Sequence, residues 1–173
     1  MDLGWGAALL AFLTVQRLAE LWWAKANERR LFAAGGVEYG RNHLLLIVVL
    51  HAAWMVGLWI LGYDRPVGPL FFALFVILQT MRIWVLITLK RRWTIRIIVL
   101  PGERLVARGP YRFLRHPNYA VVAGEIAIVP LSLGLPIYGL VFTILNAAVL
   151  AIRIPAENAA LAAHACEGPA ILA

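Results

Sequence analysis

The sequence predicts an all-α integral membrane protein of about five transmembrane helices, with a β-hairpin candidate in a cytoplasmic loop between helices three and four. Composition is the first ground: 62% of the 173 residues are hydrophobic and 14% charged, against about a quarter charged in a soluble domain, and mean hydropathy is +0.80. The second is run length. A helix rising about 1.5 Å per residue crosses ~30 Å of hydrocarbon in roughly 20 residues, and the apolar runs approach or reach that length. The third is that most charges lie between the runs.

The first run is Leu3–Trp23. Asp2 stands where a signal peptide would be basic, and the run outlasts a plausible cleavage point, so a retained span is expected. The second runs over about Leu44–Leu61 and the third over Pro69–Leu89. The fourth, Tyr119–Leu133, is short. The segment Leu131-Ser-Leu-Gly-Leu-Pro136 joins it to the fifth, Ile137–Ile154, with Gly134 and Pro136 as breakers of a tight helical hairpin. With no internal repeat and no low-complexity linker, residues 1–173 read as a single domain.

Of the sixteen lysines and arginines, eight fall in Lys90–Arg115, and Lys25, Arg29, Arg30 and Arg41 lie between the first two runs. The other connections hold little charge. Positive residues stay cytoplasmic, which predicts the N-terminus outside and the C-terminus in the cytoplasm. A net charge of +7 in this pattern reads as orientation and contact with anionic membrane lipid, with no nucleic-acid partner expected. Cys166 is alone, so no disulfide within the chain and no C-terminal prenylation box is expected. His43, His51, His116 and His164 lack zinc-type spacing, so no metal is expected.

Polar groups inside apolar runs are costly and mark either packing or function. Arg17 and Glu20, three apart, share a helix face and are expected to pair. His51 reads as a hydrogen-bonded packing residue or a ligand. Arg82 calls for an acidic partner from another span, Glu125 or Glu20, and Arg82 and Glu125 are also candidates for the substrate-binding wall. Arg153 and Glu157 sit one helical turn apart around Pro155. They form either a juxtamembrane salt bridge or a pair facing a cavity, the carboxylate for a cation and the planar guanidinium for an anion.

The connector between the third and fourth runs is unusual. Thr94–Ala107 offers two extended arms about Pro101-Gly102, hence the hairpin candidate. Gly109-Pro110 then breaks the chain, Tyr111–Arg115 suits one basic helical turn, and Pro117 suits the first turn of the fourth span. His116 therefore stands at a helix N-terminus, whose free N–H groups can hold polar atoms of a ligand.

Gly109-Pro-Tyr111 followed by Arg115-His-Pro-Asn-Tyr119, a glutamate in the next span, a helical hairpin and Arg153-x-x-x-Glu157 together resemble the isoprenylcysteine carboxyl methyltransferase family, in particular its short bacterial members. Gln16-Arg-Leu-Ala-Glu20, Asn27-Glu-Arg-Arg30, Gly35-Gly-Val-Glu-Tyr-Gly40 and Trp93–Gly102 extend the likeness over most of residues 16–160. The resemblance implies a membrane-embedded O-methyltransferase with S-adenosyl-L-methionine as cofactor. Its lipophilic small-molecule acceptor would present a carboxylate or acidic hydroxyl, prenylcysteine-like or a long-chain pyrone or phenol. It further implies that His116, Pro117 and Tyr119 frame the cofactor with the loop Val106–Tyr111, Gly109 included. Glu157 would hold the cofactor's ammonium, and Arg153 would face the acceptor oxygen, Arg153 and Tyr119 being the catalytic candidates. One departure stands out: relatives often carry two adjacent acidic residues where this chain has Glu157 and Asn158. Other readings of the same residues are a membrane NADPH-dependent sterol-type reductase and a non-catalytic membrane scaffold.

Overall fold

In a computed structural model, which describes residues 4–103 and 105–164, 77% of the described residues are helical. Arg104, Cys166 and the first and last residues of the sequence readings lie outside the described residues. Five helices follow in order: α1 (Trp5–Ala33), α2 (Arg41–Gly62), α3 (Pro69–Leu89), α4 (Pro117–Ser132) and α5 (Pro136–His164). A two-stranded sheet, β1 (Val37–Tyr39) and β2 (Ile97–Val99), completes the fold.

Three stretches are long and apolar enough to cross a membrane: His43–Gly62, Pro69–Arg92 and Pro136–Ala163. Of the five spans expected, these three meet that measure of length and composition. α1 is long, but from Arg17 onward it carries Arg17, Glu20, Lys25, Glu28, Arg29 and Arg30. α4, at 16 residues, covers only about 24 Å. Both nevertheless pack lengthwise in the bundle, α4 between α3 and α5 and α1 against α2.

Two helices run past their sequence-predicted ends. α1 continues about ten residues beyond Trp23, until Gly35 at φ +89° stops it. α5 continues through Pro155, which forgoes one helical hydrogen bond. The turn after it packs Ala156, Ala160 and Leu161 on Ile97 and Val99 of the sheet, and that burial holds the helix together.

The hairpin expected between Thr94 and Ala107 does not form. β2 pairs antiparallel with β1, from the α1–α2 connection, in the register Val37↔Val99, Glu38↔Ile98, Tyr39↔Ile97. The Leu100–Glu103 turn exists, but Leu105–Ala107 after it is irregular. The better partner is the stretch whose Glu38 reaches Arg96 with both oxygens at 2.9 Å, while Glu28 meets the same guanidinium at 3.3 Å. A cross-connection ion pair thus selects the strand partner.

Apolar packing divides along the bundle. At the end away from the sheet, Leu9, Leu10 and Leu13 of α1 meet Trp54 and Leu58 of α2, Phe75 of α3 and Ile126 and Val129 of α4. The α4–α5 hairpin closes that end as expected, with Gly134 at φ +67°. Toward the sheet a smaller cluster, Ala24, Val85 and Trp93, joins α1 to α3 and the connector. Asn27 fixes the connector's start by donating to the carbonyls of Lys90 (3.0 Å) and Trp93 (2.9 Å).

Candidate active site

The connector returns to the bundle at Gly109–Arg112, a single 3-10 turn. Gly109 has φ +60°, and a Cβ there would collide with the Thr88 side chain at the end of α3. Only glycine lets the backbone lie this close to α3. Pro110 is buried beneath the turn, which aims Tyr111 inward. His116 caps α4 and Pro117 occupies its first position, buried, as the sequence predicts.

Tyr119, in the first turn of α4, meets α5 through a chain of side chains. Arg153 Nε donates to the Tyr119 hydroxyl at 2.8 Å, and that hydroxyl donates onward to Glu157 Oε2. A terminal guanidinium nitrogen of Arg153 also donates to the Ile95 carbonyl, just before β2. The His116 and Tyr119 rings stack with centroids 5.3 Å apart. His116 Nδ1 lies 3.9 Å from Glu157 Oε1, and its Nε2 is 3.0 Å from Asn158 Oδ1. His116 and Glu157 therefore share one site on one side of the bundle.

All of this borders a large cavity of about 1280 Å³. Val106, Tyr111, His116, Tyr119, Arg153 and Glu157 line it directly, which gathers six of the sequence-predicted residues on one wall. Pockets for drug-sized ligands run from about 300 to 1,000 Å³, and this one exceeds that range. Pro117 and Gly109 shape the wall from behind. Tyr111 feels both burial and, second, the Glu157 charge, and both push its hydroxyl well above the usual phenol range. It remains a neutral donor.

The cavity continues between the helices to a second polar group. Arg82 grips Glu20 with Nε and, at 2.5 Å, a terminal nitrogen, and gives its other terminal nitrogen to Glu125 at 2.7 Å. Arg17 joins the same two carboxylates, Glu125 at 2.5 Å and Glu20 at 3.2 Å. Gln79 donates to the free oxygen of Glu125 at 2.6 Å, and Gln16 to Glu20 at 3.1 Å. The result is a closed ring of two guanidiniums and two carboxylates. Both partners proposed for Arg82 are its partners at once. Glu125 is fully buried and absent from the cavity wall; Arg17, Glu20, Arg82 and His51 are on it.

Two contributors were missed in the sequence. Asn158, read only as a missing acid, orients His116; its position one residue after Glu157 was the available signal. The Ile95 carbonyl carries no side-chain signal at all. Among the described residues, no cluster of three or more His, Cys, Asp or Glu side chains is arranged to hold a metal ion.

The family profile described as isoprenylcysteine carboxyl methyltransferase (ICMT) family matches residues 71–163, from α3 to the end of α5. The Bacillus subtilis (strain 168) protein YpbQ, described as uncharacterized, is 36% identical over 166 residues, covering 88% of this chain and 94% of its own length. A Haemophilus influenzae protein, likewise described as uncharacterized, is 25% identical over 146 residues, 78% of this chain and 82% of its own. No solved structure gives a significant match.

Proposed function

The chain belongs to the isoprenylcysteine carboxyl methyltransferase family, and from that premise we propose that it is a membrane-embedded, S-adenosyl-L-methionine-dependent O-methyltransferase of a lipophilic acid. The observation that carries the reading is the Arg153–Tyr119–Glu157 chain on the wall of one cavity, with opposite charges presented on either side of a phenol.

The residues present fit the cofactor by the chemistry of their donors. Glu157 offers a carboxylate to an ammonium group, and the stacked His116 and Tyr119 rings with Tyr111 offer aromatic faces to a cation. When bound, the cofactor supplies an electrophilic methyl group on a positively charged sulfur. Val106 and the turn at Gly109–Arg112 would cover it from the connector side.

Arg153 faces the acceptor. Its Nε is committed to Tyr119 and one terminal nitrogen to Ile95, so the guanidinium plane is fixed before any ligand arrives. Remaining N–H groups can hold an anionic oxygen, a task suited to arginine's planar fork. A carboxylate or acidic enol is already ionised near neutral pH and needs no strong base, so rate enhancement rests on orientation and exclusion of water. Tyr119 keeps Arg153 and Glu157 apart, so neither charge cancels the other directly. The apolar remainder of the cavity, such as Leu150, Val122 and Met55, suits the hydrocarbon part of a prenylcysteine-like molecule or a long-chain pyrone or phenol.

In this reading α1 and α4 complete a five-span protein of the bacterial inner membrane, with the N-terminus outside and the connector in the cytoplasm. Residues 1–173 then act as one domain. The deciding experiment incubates membranes containing the protein with labelled S-adenosylmethionine and a lipid extract. Label recovered in a lipid-soluble methyl ester or ether supports the proposal. Incorporation no greater than in control membranes, or stabilisation by NADPH with none by S-adenosylhomocysteine, overturns it.

A further inference from the structure

The inner end of the cavity has a chemistry that a hydrocarbon tail would not use. Arg17, on α1, lines it with a side chain 18% exposed, and its two ion pairs engage only two of the guanidinium's five N–H groups. Arg17 Nε is buried with no hydrogen-bond partner among the described residues. His51, on α2, lines the same end. Its Nδ1 stands 2.8 Å from the Ile47 carbonyl, which can only accept, so Nδ1 carries the proton and the neutral ring presents a lone pair at Nε2.

We propose that Arg17 and His51 form a second subsite, which recognises a hydroxyl group in the chain of the acceptor, remote from the oxygen that is methylated, the hydroxyl accepting from Arg17 and donating to His51 Nε2. The identity of the group follows from charge. Arg17 and Arg82 are balanced by Glu20 and Glu125 in the closed ring, so a further carboxylate or ammonium would enter with no counter-charge at a place where charge is costly. A neutral oxygen adds a hydrogen bond to a charged donor and leaves the balance unchanged. The same balance separates Arg17 from Arg82: Arg82 spends three nitrogens on carboxylates and is 3% exposed, so it anchors the ring, and Arg17 faces the ligand.

Position supports the assignment. Glu125, bonded to Arg17, lies six residues beyond Tyr119 on α4, about 9 Å deeper by helix rise. Arg17 and His51 also lie on α1 and α2, outside the segment 71–163 that matches the family. Residues of the proposed cofactor end lie inside it. Discrimination among acceptors thus falls to helices that the shared segment does not include.

This inference rests on the methyltransferase reading for its acceptor but is tested by binding. The probes are hexadecanoate and its hydroxy derivative with the hydroxyl about eight carbons from the head, a spacing matched to the ~9 Å of depth. Each is added to the purified full chain in detergent with S-adenosylhomocysteine, and its dissociation constant is obtained from a titration of thermal stabilisation. The hydroxy acid is expected to bind about ten- to a hundredfold more tightly, the range for a hydrogen bond to a charged donor. His51→Phe, which leaves the ion ring intact, should reduce that preference several-fold, and Arg17→Met should abolish it if the variant folds. Equal affinities in the unsubstituted protein, or a preference that His51→Phe leaves unchanged, overturn the subsite. Label transfer from S-adenosylmethionine is read separately. Its failure with the binding preference intact counts against the methyltransferase reading alone.

Discussion

Two clusters of arginine and glutamate sit in this bundle, and they are built in opposite ways. In the inner one, Arg17 and Arg82 each touch both Glu20 and Glu125, so every charge is met by two others. In the outer one, Arg153 and Glu157 are joined only through the Tyr119 hydroxyl. The inner ring spends its charge on holding α1, α3 and α4 together. The outer group keeps opposite charges apart and aimed at a cavity, which leaves both for a ligand. Pairing geometry, more than residue type, separates a scaffold from a site.

The comparison can be broken at its strongest point first. Arg82→Met strips the ring of its best-buried cation and leaves two carboxylates to share Arg17. A loss of about 3–5 kcal/mol is expected, the usual cost of removing one partner of a buried pair. Thermal unfolding in detergent should show it as a large fall in midpoint or a failure to recover folded protein. An unchanged midpoint would falsify the structural role.

The outer cluster should respond in activity and hardly in stability. Arg153→Lys keeps the charge but loses the planar grip and the bond to Tyr119. We expect kcat/KM for the acceptor to fall on the order of a hundredfold, with cofactor affinity little changed. Equal losses in both would move Arg153 into the cofactor's share of the cavity. Glu157→Gln should weaken cofactor binding about tenfold by calorimetry and leave the unfolding midpoint near that of the parent; unaltered affinity would remove the carboxylate from that role. His116→Ala, which loses the stacking on Tyr119 and the contact with Asn158, should cost a few-fold in cofactor affinity without preventing membrane insertion.

The smallest effect concerns pH. Burial and the Glu157 charge both disfavour the Tyr111 phenolate, so the hydroxyl keeps its proton through pH 10. Tyr111→Phe should therefore leave the shape of an alkaline activity profile unchanged while lowering its height slightly. A break near pH 10 that disappears in Tyr111→Phe would show that the phenol titrates where an exposed one does.

The membrane character, the α4–α5 hairpin, the proline start of α4 and the grouping of His116, Tyr119, Arg153 and Glu157 were all legible in the sequence. The first three rest on local chemistry, run length and glycine and proline punctuation; one-turn helix spacing joins Arg153 to Glu157, and only the family resemblance grouped His116 and Tyr119 with them. The connector misled for a related reason. Its β-branched arm does form a strand, but local pattern names no partner, and Arg96 found Glu38 and Glu28 across some 60 residues of chain.

By itself, then, the sequence determined that this chain is a helical membrane protein with a polar site between its connector and last helix. Hydrophobic run length and backbone stereochemistry act within a few residues, and they can be read there. Only the tertiary structure decided which arginine is tied up by carboxylates and which is left beside the cavity. Arg17, Arg82 and Arg153 are alike as letters. Their difference lies in how many guanidinium nitrogens the carboxylates engage among the described residues, three on Arg82, two on Arg17 and none on Arg153, a number set by the packing of helices distant in the chain.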